Sequence, residues 1–303
     1  MPPAVAGYPP LKISLGSNSI NAFEAGVPVL AGPTEEAFFG PAQPAGRAGV
    51  LELFRQDDWL LGGATLPLTD GLEAATRRLY TDLLQATHGL HLARIWNYVP
   101  GINEAGPGGL ENYRLFSRAR SLAFEERYGP GFKQLLPSAS AVGAKAPAVT
   151  IAFAACARAP RHVENPLQVS AYDYPVEYGP RAPSFARATV VPGATGRTVF
   201  ISGTAAIRGY ATVAPHRLLP QLECTLENLR QLSRACGLGA DLDRGGRSTR
   251  HFKVYLRHAA DQAAVAEILE RELVTKDDDV SYLHADICRE ALVVEIEATL
   301  LGV

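Results

Sequence analysis

The sequence predicts an α+β fold built from two similar halves, each a sheet with helices on one face. Three observations lead to this prediction. The chain has 303 residues, which is long enough for two ordinary domains. Strand-like and helix-like patterns alternate along it, and the order of patterns in the first half returns in the second. A hydrophobic fraction of 47% and a charged fraction of 20% are typical of a globular chain with a substantial core.

The first half begins with a weakly patterned region. Residues 1–50 are rich in Pro, Gly and Ala, so we expect an irregular or partly extended segment there. The apolar run at 59–65, which ends in small residues, predicts a strand. Apolar residues recur at helical spacing over 72–83, which predicts a helix. Two further runs rich in apolar and β-branched residues, at 91–99 and 148–155, predict strands.

The second half repeats this order of elements. A strand that runs into small residues is followed by a helix with apolar residues at helical spacing, a strand, a second helix and two closing strands. These elements are expected at 198–205, 222–232, 251–256, 263–273, 280–288 and 292–300. Sequence identity between the halves is weak, but the shared order predicts two related domains docked against each other.

The boundary between the halves is expected between the strand ending near 157 and the strand beginning at 198. The predicted units are an N-terminal domain at 1–157, a connecting segment at 158–197 and a C-terminal domain at 198–303. Small-molecule sites often lie in clefts between domains, so the connecting segment is expected to line such a cleft.

The connecting segment has an unusual composition. Residues 164–187 are rich in tyrosine and proline and include two arginines. An arginine meets a carboxylate with two parallel hydrogen bonds, so this composition suits the binding of a small, flat, anionic molecule. The alternative is a rigid connection between domains, with packed tyrosines and solvated arginines.

Charge and hydropathy exclude several classes of function. The net charge of −2 gives no basic field for binding nucleic acid without sequence preference. No apolar run approaches the roughly 20 residues needed to span a bilayer. The opening residues, MPPAVAGYPPLK, lack a basic stretch followed by an apolar core, so no secretory signal is expected. We expect a cytoplasmic protein that binds neither nucleic acid nor membrane.

The spacing of cysteine, histidine and glycine predicts neither a metal site nor a nucleotide-binding motif. The cysteines lack CxxC spacing, which argues against a zinc site, a redox pair and a disulfide framework. The seven histidines show neither HxH nor HExxH spacing. The glycine-rich stretch at 101–110 lacks both GxGxxG and a P-loop ending, so it gives no nucleotide signal. The four cysteines are Cys156, Cys224, Cys236 and Cys288.

Two carboxylates lie on the last predicted strand. Period-two alternation places Glu295 and Glu297 on one face. A carboxylate in an apolar strand usually points to solvent, and we expect this of Glu297. Glu295 stands deeper in the run. If it faces a dry cleft, desolvation raises its pKa and keeps it protonated near neutrality, as a general acid requires.

Two other features are candidates for binding chemistry, each with a simpler alternative. Residues 110–122 fit an amphipathic helix on which Tyr113 and Arg120 lie about two turns apart on one face. The alternative is a solvated basic face that includes Arg114. Cys288 has no recognisable hydrolase partner in the sequence, so we do not predict a covalent thiolate mechanism, and an inert thiol is the alternative.

Taken together, these motifs resemble the chorismatase family, whose members cut pyruvate from chorismate to give hydroxybenzoates or a dihydroxycyclohexadiene acid. The family is similar in fold to RidA/YjgF (chorismate mutase-like) proteins, which implies two tandem domains of that kind, each a mixed sheet with helices on one face. The matching segments run in the family's order at 94–103 (RIWNYVPGIN), 110–120 (LENYRLFSRAR), 136–144 (LPSASAVGA), 164–188, 200–207 (FISGTAAI) and 282–298.

The resemblance implies a role for each matching residue. Glu295 matches the general acid that protonates the enolpyruvyl methylene. Cys288 matches the position where a cysteine steers the product in the benzoate-forming branch. Ala205 falls at a small-residue position that differs between branches, with its register against Ala206 left open. The residues implied to bind substrate are Tyr113, Arg120, Tyr174, Arg181 and Arg187.

The resemblance therefore implies a cofactor-independent enzyme that cleaves chorismate to pyruvate and 3- or 4-hydroxybenzoate. Arg208 and Tyr210 stand where a small apolar residue and a histidine are expected, which leaves the product open. One alternative is hydrolysis to 3,4-dihydroxycyclohexa-1,5-dienoate, and another is a RidA-like imine deaminase or ligand-binding protein. Two tandem domains can satisfy each other's sheet edges, so we expect a monomer.

Overall fold

The computed structural model describes residues 10–14, 22–194 and 196–303. Within these residues, two large mixed sheets pack face to face, and a pair of helices covers the outer face of each sheet. The start of the chain at 1–9, for which no secretory signal is predicted, lies outside the described residues. None of the described helices has the length and apolarity needed to cross a membrane.

The N-terminal region is more regular than its composition predicts. Its strands are β1 (Pro10–Ser14), β2 (Ala22–Glu24), β3 (Val29–Ala31) and β4 (Glu35–Pro41). Three of them form a small sheet in the order β2-β1-β4, whereas β3 joins the second large sheet. These strands are short and interrupted by Pro and Gly, so their alternation is too brief to be recognised in the sequence.

The first large sheet has six strands. They are β5 (Gln43–Ala48), β6 (Leu51–Gln56), β7 (Trp59–Pro67), β8 (His91–Pro100), β9 (Ser138–Ala144) and β10 (Ala148–Cys156). They lie in the order β5-β6-β7-β10-β8-β9, and only the pairing of β8 with β9 is parallel among the described strands of this sheet. Helices α1 (Leu72–Ala86) and α2 (Asn112–Tyr128) cover its outer face through a core of apolar side chains.

The second large sheet has seven strands, accompanied by two helices and a short hairpin. The further elements of this half are β11 (Arg161–Val163), β12 (Ala188–Pro192), β13 (Arg197–Ala205), β14 (Ile207–Arg208), β15 (Ala211–Thr212), α3 (Leu218–Cys236), β16 (Thr249–Leu256), α4 (Gln262–Glu272), β17 (Asp279–His284) and β18 (Val294–Leu301). The strands of the sheet lie in the order β11-β12-β13-β18-β16-β17-β3. The hairpin, β14–β15, leaves the end of β13, and helices α3 and α4 cover the outer face.

The predicted repeat of a strand, a helix and further strands is present in both halves, so the α+β class is confirmed. Three strands of the second sheet lie outside 198–303, namely β3, β11 and β12. The division of the chain at 157 and 198 stays a prediction, since this sheet draws on all three of the predicted units.

A layer of large aromatic side chains joins the two sheets. The Phe200 ring lies edge-on to both Trp59 and Trp96, with centroids 6.1 and 6.0 Å apart. Tyr255 on β16 is fully buried in the same layer. Burial of such side chains from both sheets is the main contribution to docking, because each removes a large apolar area from water. Towards one end of this layer the packing opens into a cavity.

Candidate active site

A cavity of about 390 Å³ lies where α2, the segment before β12 and the loop before β18 meet the ends of β13 and β18. A narrow adjoining space of about 20 Å³ shares part of this lining and extends to Arg120. The structure thus brings together all but one of the residues predicted from the sequence. Those lining the main cavity are Tyr113, Tyr174, Arg187, Ala205, Cys288 and Glu295.

Glu295 is a buried carboxylic acid in the lining of this cavity. It lies on β18, directly opposite Ala205 on β13, and only 3% of it is exposed. Burial raises its pKa to about 8, and the nearby negative charge of Glu297 acts in the same direction, against the opposing charges of Arg94 and Arg187. The carboxyl is therefore protonated at neutral pH and able to donate a proton.

Gly203 leaves the space beside β13 that the Glu295 carboxyl occupies. The pairing of β13 with β18 is interrupted between Ile201 and Thr204, which leaves Gly203 beside the carboxyl. A Cβ atom on Gly203 would lie 2.0 Å from Glu295 Oε1, so any larger side chain would displace the carboxyl. A glycine within a strand often marks such a close approach.

The prediction that Glu297 points to solvent is wrong. Glu297 is 2% exposed, and its carboxylate lies 2.7 Å from Lys253 Nζ and 2.8 Å from Arg94 Nη2. Burial acts to raise its pKa, but Lys253 and Arg94 lower it to about 2. The face that Glu297 shares with Glu295 is covered by the first sheet, whose contribution was not visible in the local pattern of β18.

Cys288 and Tyr113 are neutral hydrogen-bonding groups beside Glu295. Burial raises the pKa of the Cys288 thiol to about 12, and the neighbouring Glu295 adds to this effect. Burial also raises the pKa of Tyr113, with a further contribution from Cys288. Both groups keep their protons at neutral pH, so Cys288 is a weak donor and not a thiolate nucleophile.

Two buried arginines provide positive charge. Arg120 is 1% exposed and lies against the rings of Phe116 and Phe185, at 5.0 and 5.9 Å from their centroids. Its Nε and Nη2 atoms have no hydrogen-bond acceptor among the described residues. A buried guanidinium with unused donors is costly, and an anionic ligand would supply the missing acceptors.

Arg187 is the second of these arginines, and it is 4% exposed. Its Nη2 donates to the Tyr174 hydroxyl at 2.7 Å and to the Val169 carbonyl at 3.2 Å. Its Nε lacks an acceptor within the described chain. These two contacts fix the plane of the guanidinium and leave one edge for a ligand.

Arg181 is the predicted site residue that does not reach the cavity. It forms an ion pair with Glu125 at 2.7 Å and lines a separate hollow of about 310 Å³ on the other side of Tyr174. The two alanines at the small-residue position have different surroundings. Ala205 lines the cavity, whereas Ala206 is fully buried in the neighbouring apolar cluster.

Arg289 was not predicted as a site residue, and Arg114 was named only in the alternative of a solvated basic face. Both line the cavity. The Arg289 guanidinium lies 4.2 Å from the centroid of the Tyr178 ring and 5.2 Å from that of Tyr174, and it donates to the Tyr210 carbonyl at 2.8 Å. Its position directly after Cys288 in a matching segment was the available signal. In residues 10–14, 22–194 and 196–303, no three His, Cys, Asp or Glu side chains gather as a metal site.

Comparison with known proteins identifies relatives that span nearly the whole chain. A family model described as chorismatase FkbO/Hyg5-like, N-terminal, matches residues 37–155. A 3-hydroxybenzoate synthase of Streptomyces hygroscopicus is 34% identical over 307 residues, covering 97% of this chain and 86% of the relative. A chorismatase of Streptomyces rapamycinicus is 38% identical over 268 residues, covering 85% and 79% respectively.

A solved structure is similar as well. The crystal structure of a chorismatase matches with a TM-score of 0.75 at 34% sequence identity, covering 86% of this chain and 79% of that chain. This similarity agrees with the α+β architecture of two stacked sheets with outer helices.

Proposed function

Because the chain belongs to the chorismatase family and is an enzyme that acts on chorismate, we propose that it cleaves chorismate to pyruvate and 3-hydroxybenzoate by general-acid catalysis. The observation that carries the proposal is Glu295, a buried carboxyl with its pKa raised to about 8, in a cavity with buried arginines. The relative named 3-hydroxybenzoate synthase supports the choice of product.

Chorismate carries two carboxylates, one on the ring and one on the enolpyruvyl side chain. Arg120 and Arg187 flank Glu295 and have unused hydrogen-bond donors. They bind the carboxylate of the enolpyruvyl group, because the methylene of that group must reach the Glu295 carboxyl. Arg289 also lines the cavity, where its guanidinium lies over the rings of Tyr174 and Tyr178, and we assign the ring carboxylate to it. Two anchored ends hold the ether in one orientation, which lowers the entropic cost of reaching the transition state.

The reaction begins when Glu295 donates its proton to the terminal methylene carbon of the vinyl ether. The methylene becomes a methyl group, and the ether carbon becomes an oxocarbenium ion. Water adds to that carbon and returns a proton to Glu295, and the resulting hemiketal collapses to pyruvate and a hydroxyl on the ring. If the neighbouring ring hydroxyl adds instead, it returns the proton and forms a cyclic ketal. Cleavage of that hydroxyl's bond to the ring, with transfer of one ring proton to the remaining ring oxygen, then gives 3-hydroxybenzoate directly, and the transferred oxygen becomes the ketone of pyruvate. Glu295 therefore ends in the protonation state in which it began, and no oxidant or reductant takes part.

The fate of the ring then determines the product. Loss of the neighbouring hydroxyl as water, with one ring proton, gives 3-hydroxybenzoate, and aromatisation makes this step strongly favourable. Retention of that hydroxyl gives 3,4-dihydroxycyclohexa-1,5-dienoate. We assign to the neutral Cys288 thiol, which borders the same cavity, the role of favouring loss of the hydroxyl.

Product analysis tests the reaction. Purified protein is incubated with chorismate, pyruvate is measured with lactate dehydrogenase, and aromatic products are separated against authentic standards. Equal amounts of pyruvate and 3-hydroxybenzoate are expected. Pyruvate with the diene diol would overturn the choice of product, and absence of pyruvate would overturn the reaction.

Replacement of the acid tests the mechanism. Glu295→Gln keeps the shape of the side chain but cannot donate a proton to carbon, so it should retain chorismate binding and lose turnover by about 100-fold or more. Glu267→Gln, an exposed change of the same kind on α4, is the matched control and should be as active as the wild type. Normal turnover by Glu295→Gln would remove Glu295 from this role.

A further inference from the structure

We propose that a buried network of four charged side chains, Glu297, Arg94, Lys253 and Glu36, holds the proton on Glu295 and so sets the pH range in which the enzyme works. The inference rests on the proposed general-acid role of Glu295. The described lining of the cavity includes none of the four, so they act through Glu295 as positioning residues.

The network joins three sheets. Lys253 on β16 lies 2.6 Å from Glu36 on β4 and 2.7 Å from Glu297 on β18. Arg94 on β8 completes it at 2.8 Å from Glu297. Each of these side chains is no more than 3% exposed. The N-terminal sheet, the first large sheet and the second large sheet therefore each contribute at least one charge to one dry cluster.

The charges of this network are fixed. Burial acts to lower the pKa of Lys253, but Glu297 and Glu36 raise it well above its usual range. Burial acts to raise the pKa of Glu36, and Lys253 lowers it. Two cations and two anions therefore persist at neutral pH. A buried cluster of this kind adds little net stability, because desolvation offsets the attraction. Its contribution to docking the sheets does not explain why charged side chains occupy these positions.

The geometry gives the network a direct effect on Glu295. Glu295 and Glu297 project from the same face of β18, two residues and therefore about 7 Å apart along the strand. Arg94 is tied to Glu297, so much of its positive charge is already compensated. The permanent negative charge of Glu297 makes a second negative charge at Glu295 unfavourable, and the proton stays on Glu295.

Two other carboxylates line the cavity, but neither replaces the charge of Glu297. Glu111 lies 3.5 Å from Arg114, which compensates its charge, and Glu290 is exposed, so water and salt screen it. Tyr255, Tyr113 and Cys288 are neutral near pH 7, because burial raises the pKa of each. The arginines carry positive charge, which opposes protonation of Glu295. The titratable and charged groups beside Glu295 are Glu297 on β18, Tyr255 on β16, Arg94 on β8, Tyr113 and Arg120 on α2, Arg187 before β12, and Cys288 before β18. The others that line the same cavity are Glu111, Arg114, Tyr174, Tyr178, Arg289 and Glu290.

The expected size of the effect follows from the spacing. At an effective dielectric constant of about 20, two unit charges about 7 Å apart interact by an amount equivalent to between one and two pH units. Removing the charge of Glu297 should therefore lower the pH at which Glu295 loses its proton by about that amount.

The test compares two variants that each remove one negative charge from the same network. The pH dependence of kcat/KM for chorismate is measured for the wild type, Glu297→Gln and Glu36→Gln. Glu297→Gln should move the alkaline limb down by about one to two pH units. Glu36→Gln leaves Lys253 equally short of one partner but lies farther from Glu295, so it should move the limb much less. Glu297→Asp keeps the charge and should restore the wild-type limb.

Two results would overturn the inference: an alkaline limb of Glu297→Gln that coincides with the wild type, or equal displacements in both Gln variants. If Glu297→Gln does not fold, Lys253→Met takes its place. It removes a cation and should move the limb upwards, and a limb that stays or falls counts against the network. Glu295→Gln is assayed in parallel. Its full activity would instead overturn the proposed function, since the limb would then belong to another group.

Discussion

The contact between Gly203 and the acid allows a sharp test of how closely the carboxyl must be held. In Gly203→Ala the new methyl group would lie 2.0 Å from Glu295 Oε1 and 2.7 Å from its carboxyl carbon. Ordinary contact begins at 3.4 Å, so the oxygen must move by about 1.4 Å. The carboxyl is the mobile end of a side chain, and we expect it, and not the two strands, to give way.

The displacement predicts the size of the kinetic effect. A shift of about 1 Å in a reacting group can cost about 100-fold in rate, which corresponds to a barrier higher by about 3 kcal/mol. We therefore expect kcat of Gly203→Ala to fall about 100-fold. The arginines proposed to bind the substrate are not displaced, so KM should change by less than about threefold.

The assay follows pyruvate release continuously with lactate dehydrogenase. Gly131→Ala is the matched control, because it makes the same change at an exposed glycine where an added Cβ meets nothing within 4 Å. It should keep wild-type kinetics. A kcat for Gly203→Ala within a few-fold of the wild type would refute the view that this glycine fixes the position of the acid.

Two further predictions concern the product and stability. Cys288→Ala should still release pyruvate, but a larger share of the ring product should be the diene diol. Chromatography of the products measures this share. An unchanged product ratio would show that Cys288 does not select the product. Asp278→Asn leaves the buried Arg250 without its charged partner, so it should lower the free energy of unfolding by about 3–5 kcal/mol in urea denaturation. A loss below about 1 kcal/mol would show that the pair is not buried as described.

Much of the fold could be predicted from local periodicity. The helix predicted over 72–83 is Leu72–Ala86, and the strand predicted at 148–155 is Ala148–Cys156. The β9 strand, Ser138–Ala144, was missed as an element because its small side chains, SASAVGA, show no alternation in hydropathy. Its burial depends on the strands beside it and not on its own composition.

The part of the site that could be predicted consists of residues whose role is visible in one short segment. Glu295 could be identified because a carboxylate deep in an apolar strand lies in one short segment. The environment of Glu297 could not, because its cations Arg94 and Lys253 are 203 and 44 positions away along the chain. Arg181 was expected to bind substrate but does not line the cavity. It lies in a matching segment, yet its own guanidinium reaches Glu125 on α2 and not the cavity.

The buried network of charged side chains also predicts whether the two halves of the chain can fold separately. A fragment ending before β11 would keep Arg94 and lose Glu297, while the complementary fragment would keep Lys253 and lose Glu36. Each piece would also uncover the aromatic layer around Trp96 and Phe200. We expect neither piece to fold stably on its own. Activity should therefore be recovered only when both pieces are produced in the same cell and fold together.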